Sequence, residues 1–111
     1  MLHEKLECYR QAILLAEDLS KEVAMWPKGF GYLSDQLKRA MASVVLNLAE
    51  GNARPSQPER RRFFHIARAS VAEVAACVDL MLAFGLIRQD RMLSLKSRLT
   101  EISKMIWGLI R

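Results

Sequence analysis

The sequence predicts an all-α fold: an antiparallel up-down four-helix bundle that assembles as a homo-oligomer. Three observations predict it. Four stretches repeat apolar side chains at the three-and-four-residue spacing of a helix face. Short breaks containing Pro or Gly separate them, and connections of this length join antiparallel neighbours. Finally, 51% of the 111 residues are hydrophobic while only 5 are Gly and 3 are Pro. A chain this small and this apolar has more apolar surface than one core hides, and the surplus belongs at a subunit interface. We read residues 1–111 as one domain.

The first helix is expected over about 2–25. Leu6, Tyr9, Ile13, Ala16 and Val23 follow one face, with Ala12, Leu19 and Trp26 widening the stripe. Glu7, Gln11, Asp18 and Lys21 fall opposite. Pro27, Gly29 and Gly31 end this helix and permit a reversal.

The second helix is expected over about 33–52. Its polar groups fall on one line, Gln36, Arg39, Ser43, Asn47 and Glu50, continued by Arg54. Apolar residues flank that line on both sides: Leu37, Ala40, Val44 and Leu48 on one, Ala42, Val45, Leu46 and Ala49 on the other. Such a helix is buried over more than half its circumference. The run Gly51 to Pro55 reads as the next break.

Ser56-Gln57-Pro58-Glu59 is a capping box, in which the Ser56 hydroxyl accepts from the Glu59 amide and the Glu59 carboxylate reaches the Ser56 amide. Pro58 suits the first turn. The third helix follows over about 57–84 with a heptad row, Phe64, Ala67, Val71, Val74, Val78 and Met81. A row of small residues, Ala69, Ala76 and Ala83, with Glu73 among them, lies on another face; Arg61, His65, Arg68 and Asp79 form a polar line. Two apolar rows imply two packing partners. After Gly85-Leu86-Ile87, the fourth helix is expected over about 90–110 on Met92, Leu95, Leu99, Ile102, Ile106 and Leu109. Trp107 stands off that row, and so large an apolar ring points to a partner.

The formal net charge of +5 is uneven. Residues 1–26 carry 3 Lys/Arg and 5 Asp/Glu, whereas residues 87–111 carry 6 and 2. Basic chains attract polyanions. The best polyanion candidates are Arg54, Arg60, Arg61 and Arg68, with Lys38 at the rim. Arg60, Arg61 and Arg62 fan through about 200° of a helix and cannot all meet one ligand, but Arg61 and Arg68 share a face. An ordinary solvated helix start explains the same residues equally well. The polar line Gln36, Arg39, Ser43, Asn47 and Glu50 has two readings as well. It is a plain solvent face, or, with Glu73, a hydrogen-bonded network along a subunit interface or central channel; buried charges there would have to be paired.

No enzyme, metal or cofactor signature stands out. His3 and His65 are the only histidines, and the Glu-x-x-His motif of di-iron bundles is absent. There is no Gly-rich phosphate loop, and Ser43, Ser56 and Ser70 have no His partner set by spacing. Cys8 and Cys77 have no framework spacing and read as reduced, buried thiols. The chain opens into a charged helical pattern, and no uncharged apolar run approaches the roughly 18 residues of a membrane span. These features lead us to expect a cytoplasmic protein without a membrane role.

The run Asp35-Gln36-Leu37-Lys38-Arg39-Ala40, then Ser43, then Asn47-Leu48-Ala49-Glu50-Gly51, followed by Arg54, Ser56, Glu59, Phe63, Ala67, Ser70 and Glu73, resembles the bacterial 23S rRNA intervening-sequence protein family. Leu6, Tyr9, Ala12 and Pro27 extend the likeness, which reaches weakly into the fourth helix. Val45 stands where many members have proline, so the second helix should be straighter than the family pattern. The resemblance implies a four-helix bundle, commonly a homopentamer with a central channel, and no well-established activity. More distantly, Leu82 to Ile87 and Trp107-Gly108 are similar to the accessory variability protein of diversity-generating retroelements. That likeness implies a basic pentamer that binds nucleic acid and a reverse transcriptase. The expected function is therefore a non-enzymatic, oligomeric bundle that binds RNA, DNA or a nucleoprotein partner through basic surfaces. The alternative is a protein-interaction scaffold with no specific nucleic-acid role.

Overall fold

The computed structural model describes residues 2–111 and contains four α-helices: α1 Leu2–Ala24, α2 Gly31–Ala53, α3 Gln57–Ala83 and α4 Gln89–Ile110. Each packs against two others in the cyclic order α1, α2, α3, α4, and among the described residues the diagonal pairs bring no Cα atoms within 8 Å. The bundle measures 45 × 24 × 18 Å. Polar links fix the antiparallel sense. Asp18 and Glu22 of α1 pair with Arg98 and Arg91 of α4, so one helix climbs as the other descends. At one end, Phe30 before α2 packs 6.0 Å from Phe84 at the close of α3. At the other, Arg61 in the first turns of α3 reaches Ile110 at the close of α4.

The core follows the apolar rows. All six members of the predicted α3 row are buried, as are Leu95, Leu99, Ile102, Ile106 and Leu109 of α4. On α1 the buried line is Cys8, Ala12, Leu15 and Leu19, while Leu6 is 58% exposed. The buried face of α1 is therefore rotated from the expected one. Leu15 and Cys8 hold the centre because α1 must face α2 and α4 together. Leu33, Leu37, Ala40, Met41, Val44 and Leu48 of α2 are buried, but its second apolar flank is not: Ala42 and Ala49 are exposed and Leu46 is 63% exposed.

Two helix ends show how sequence sets the turns. Ser56 caps α3 by accepting from the Glu59 amide at 3.4 Å, as expected. The Glu59 carboxylate, however, accepts from the Ser56 hydroxyl at 2.8 Å and not from its amide. At the end of α3, Gly85 takes a φ of 75°, the Leu86 amide donates to Met81 and the Gly85 amide to Leu82. That pair of bonds is a Schellman motif, whose left-handed residue favours glycine.

Gly51 behaves differently from its sequence appearance. It does not end α2, which continues to Ala53. A Cβ at Gly51 would lie 2.4 Å from Cε1 of Phe64. The glycine is there to let the Phe64 ring of α3 lie against the α2 backbone.

Candidate functional site

The α2 polar line turns toward α3 within the same chain. Gln36 donates to the Glu73 carboxylate across the two helices, and the Ser43 and Ser70 hydroxyls meet at 2.7 Å. The Asn47 amide group donates to the Ser43 carbonyl at 2.8 Å and to its hydroxyl at 3.1 Å. Glu50 pairs with Arg54 at 2.6 Å. Arg39 is exposed and makes no ion pair or hydrogen bond among the described residues. The line thus includes a polar seam between neighbouring helices: Ser70 is buried, Ser43 and Asn47 half-buried, and Gln36, Arg39 and Glu50 exposed.

The arginines around the α2–α3 turn are partly spent on the fold. Arg54 lies over the Phe63 ring at 4.9 Å, and its Nε is buried without a hydrogen-bond partner. Arg60 donates to the Arg54 carbonyl at 2.7 Å and to Pro55 at 3.1 Å, clasping the turn. Arg61 donates through Nε to the Ile110 carbonyl at 3.1 Å, placing a cation where the α4 dipole is negative. This contact uses one of the five guanidinium donors, and Arg61 is exposed. Arg62 lies over Phe63 at the longer distance of 6.0 Å and is exposed.

Arg68 stands further along α3, its guanidinium 4.7 Å from the centre of the Trp107 ring. His65 meets the same indole edge-on at 6.1 Å. The structure therefore brings Arg61, His65, Arg68 and Trp107 together on the α3–α4 side, with Arg54 and Arg60 at the adjoining turn. Lys38 is apart from them, beside the groove between α1 and α2. The Arg68–His65–Trp107 cluster escaped the sequence reading because Trp107 is remote in the chain from its partners. The only available signal was a large ring off the apolar row.

Charge differs between the two ends. The end that holds the start of α1 (2–13), the α2–α3 turn (44–70) and the close of α4 (100–111) carries nine Lys/Arg and five Asp/Glu. The remainder of the chain carries eight and seven. Among carboxylates, the Arg98 hydrogen bond holds Asp18 below its usual range, and Arg88 does the same for Asp90. Burial pushes the Cys8 thiol up to about 11 and raises that of Cys77, where the Glu73 charge adds to the effect. Among the described residues no three His, Cys, Asp or Glu side chains are grouped to hold a metal ion. None of the helices is long and apolar enough to cross a membrane among those residues.

These features define a small up-down helical bundle with one basic end and an aromatic-cationic cluster on its α3–α4 side. The family model described as 23S rRNA-intervening sequence protein matches residues 4–108, and the chain belongs to that family. A crystal structure at 1.70 Å of a protein of unknown function from the S23 ribosomal protein family of Bacteroides thetaiotaomicron VPI-5482 is similar, with a TM-score of 0.81. Identity is 18%, over 96% of this chain and 97% of that one, so the likeness is one of fold. No curated protein matches the chain.

Proposed function

We propose that this chain is a non-enzymatic, self-associating bundle that binds nucleic acid, or a nucleoprotein, through its basic surfaces. The observation that carries the reading is the excess of cations at one end of a chain whose net charge is +5. Assembly multiplies that charge over one particle, and a polyanion gains from releasing counterions at each contact. Outward rows of small and apolar residues supply the means to assemble: Ala42, Leu46 and Ala49 on α2, and Ala76 and Leu80 on α3, are all exposed in the single chain. Two different rows suit a head-to-tail ring, because such a contact joins unlike patches. Five copies is the number the family resemblance implies. Free thiols at Cys8 and Cys77 suit a reducing cytoplasm.

Anisotropy of a fluorescein-labelled single-stranded oligonucleotide tests this reading. Affinity is expected to fall at least tenfold between about 50 and about 200 mM salt. Absence of binding at the lower salt would overturn it. Salt-insensitive capture of a protein would support the scaffold alternative, which the apolar groove of about 370 Å³ between α1 and α2 favours.

A further inference from the structure

We propose that the groove between α3 and α4 is the track for a single-stranded nucleic acid, and that Trp107 is the platform on which one of its bases stacks. The proposal deepens the functional reading above and rests on it.

The four grooves between neighbouring helices differ in chemistry. The α1–α2 groove is lined by Leu19, Val23, Met41, Val45 and Leu46, with Lys38 as its one cation. The α1–α4 side carries Glu7 and Glu101, which repel phosphate, and Arg98 on that side is held by Asp18. Between α2 and α3 the helices are cross-linked by Gln36–Glu73 and Ser43–Ser70. The α3–α4 groove, about 270 Å³, has Arg68 and Lys96 on its walls and the hydroxyls of Thr100 and Ser103 beside them. Ala72 and Ala75 narrow the α3 wall to the size of a methyl group, which lets a strand approach closely. No carboxylate lines this groove; Lys96 pairs at 2.8 Å with Asp79 beside it.

Cations alone attract any polyanion; the aromatic group adds the preference for unpaired bases. Trp107 remains 43% exposed although Arg68 lies over its ring and His65 meets its edge. A ring so placed is held in orientation, so stacking a base on it costs little further ordering. Arg68 serves twice, fixing the indole and offering charge to the adjoining phosphate. From Lys96 to Trp107 the track runs about 16 Å along α4, room for about four or five stacked nucleotides. Arg61 and Arg111 lie beyond Trp107 at the basic end and continue the positive path.

The test uses the full chain, fluorescein-labelled oligo(U), oligo(dT) and an RNA duplex of equal length. Oligo(U) and oligo(dT) are expected to bind more tightly than the duplex, whose bases cannot stack on a side chain. Trp107→Ala should weaken oligo(U) binding about tenfold or more, and Trp107→Tyr should restore it to within about threefold of wild type. Thr100→Glu, at an exposed position, should also cost about tenfold or more by placing a carboxylate in the track. Circular dichroism melts establish that each variant is folded. In a Trp26→Phe background, oligo(U) should quench the Trp107 fluorescence. If wild type binds but Trp107→Ala and Thr100→Glu bind equally well, the track is overturned while the functional reading stands. A Lys38→Glu variant that alone loses binding would move the site to the α1–α2 side. If Trp107→Ala instead lowers the particle mass with oligo(U) affinity unchanged, Trp107 faces a second copy and the proposal falls. Wild-type protein that binds no single strand at low salt overturns the functional reading itself.

Discussion

At Gly51 two opposing effects can be weighed. Replacing a helical glycine by alanine ordinarily gains about 1 kcal/mol of helix propensity. Here the added methyl would meet three ring carbons of Phe64 within 3.0 Å, and Phe64 is 1% exposed, so its ring has nowhere to go. Overpacking of this kind costs about 1–3 kcal/mol or more. Gly51→Ala is therefore expected to destabilise the bundle by about 1–2 kcal/mol in urea denaturation, against the propensity trend. Phe64→Leu should recover part of that loss in the double variant; equal or greater stability of Gly51→Ala alone would contradict the packing account. In sequence Gly51 reads as part of a break, because a glycine shortly before Asn and Pro looks like a helix stop. Only the Phe64 ring, thirteen positions away on another helix, distinguishes the two roles. Arg60 and Arg61 teach a similar lesson. Their positions in sequence mark a basic segment, but their carbonyl partners at Arg54, Pro55 and Ile110 are set by how the helix ends meet.

Among elements, the predicted apolar rows of α3 and α4 were legible because each is long and keeps one period. On α1 several apolar residues lie off the buried line, which left the sequence reading a choice of faces; α4 and α2 together select Cys8, Ala12, Leu15 and Leu19. Polar pairs then fix the registers that apolar contacts leave loose. Arg98 of α4 reaches Asp18 of α1, and Arg91 reaches Glu22 at 2.7 Å. Surface pairs of this exposure contribute about 0–1 kcal/mol each, so they select alignment more than they add stability. The Asp18 carboxyl has its pKa lowered in the fold, first by the Arg98 hydrogen bond. A depressed folded pKa gives stability that is present above the unfolded value, about 3.9, and is lost as pH falls through the folded value. Arg98→Met should therefore raise the Asp18 pKa toward its ordinary value, as read by NMR titration. The stability gap between wild type and variant should be widest near neutrality and should narrow below about pH 4. A gap that grows on acidification would show that the pair is not what the substitution removed.

On the scale of the whole molecule, the fold was largely readable and the site was not. Four apolar rows, three breaks and a capping box specify a bundle from local chemistry alone. A binding surface depends instead on which side chains from different helices come to lie together, as Arg68 and Trp107 do. The single chain leaves Leu46 and Leu80 outward, with Ala42, Ala49 and Ala76 around them, and it gathers its cations toward one end. Both facts fit a particle of several copies whose α3–α4 sides remain open to a polyanion. The most direct test is mass by light scattering, with and without oligo(U). The account predicts an assembly of several 12.7 kDa chains, reduced toward one chain by Leu46→Glu, and a heavier particle when oligo(U) is present at low salt. A species of one chain's mass, unchanged by RNA, would contradict it.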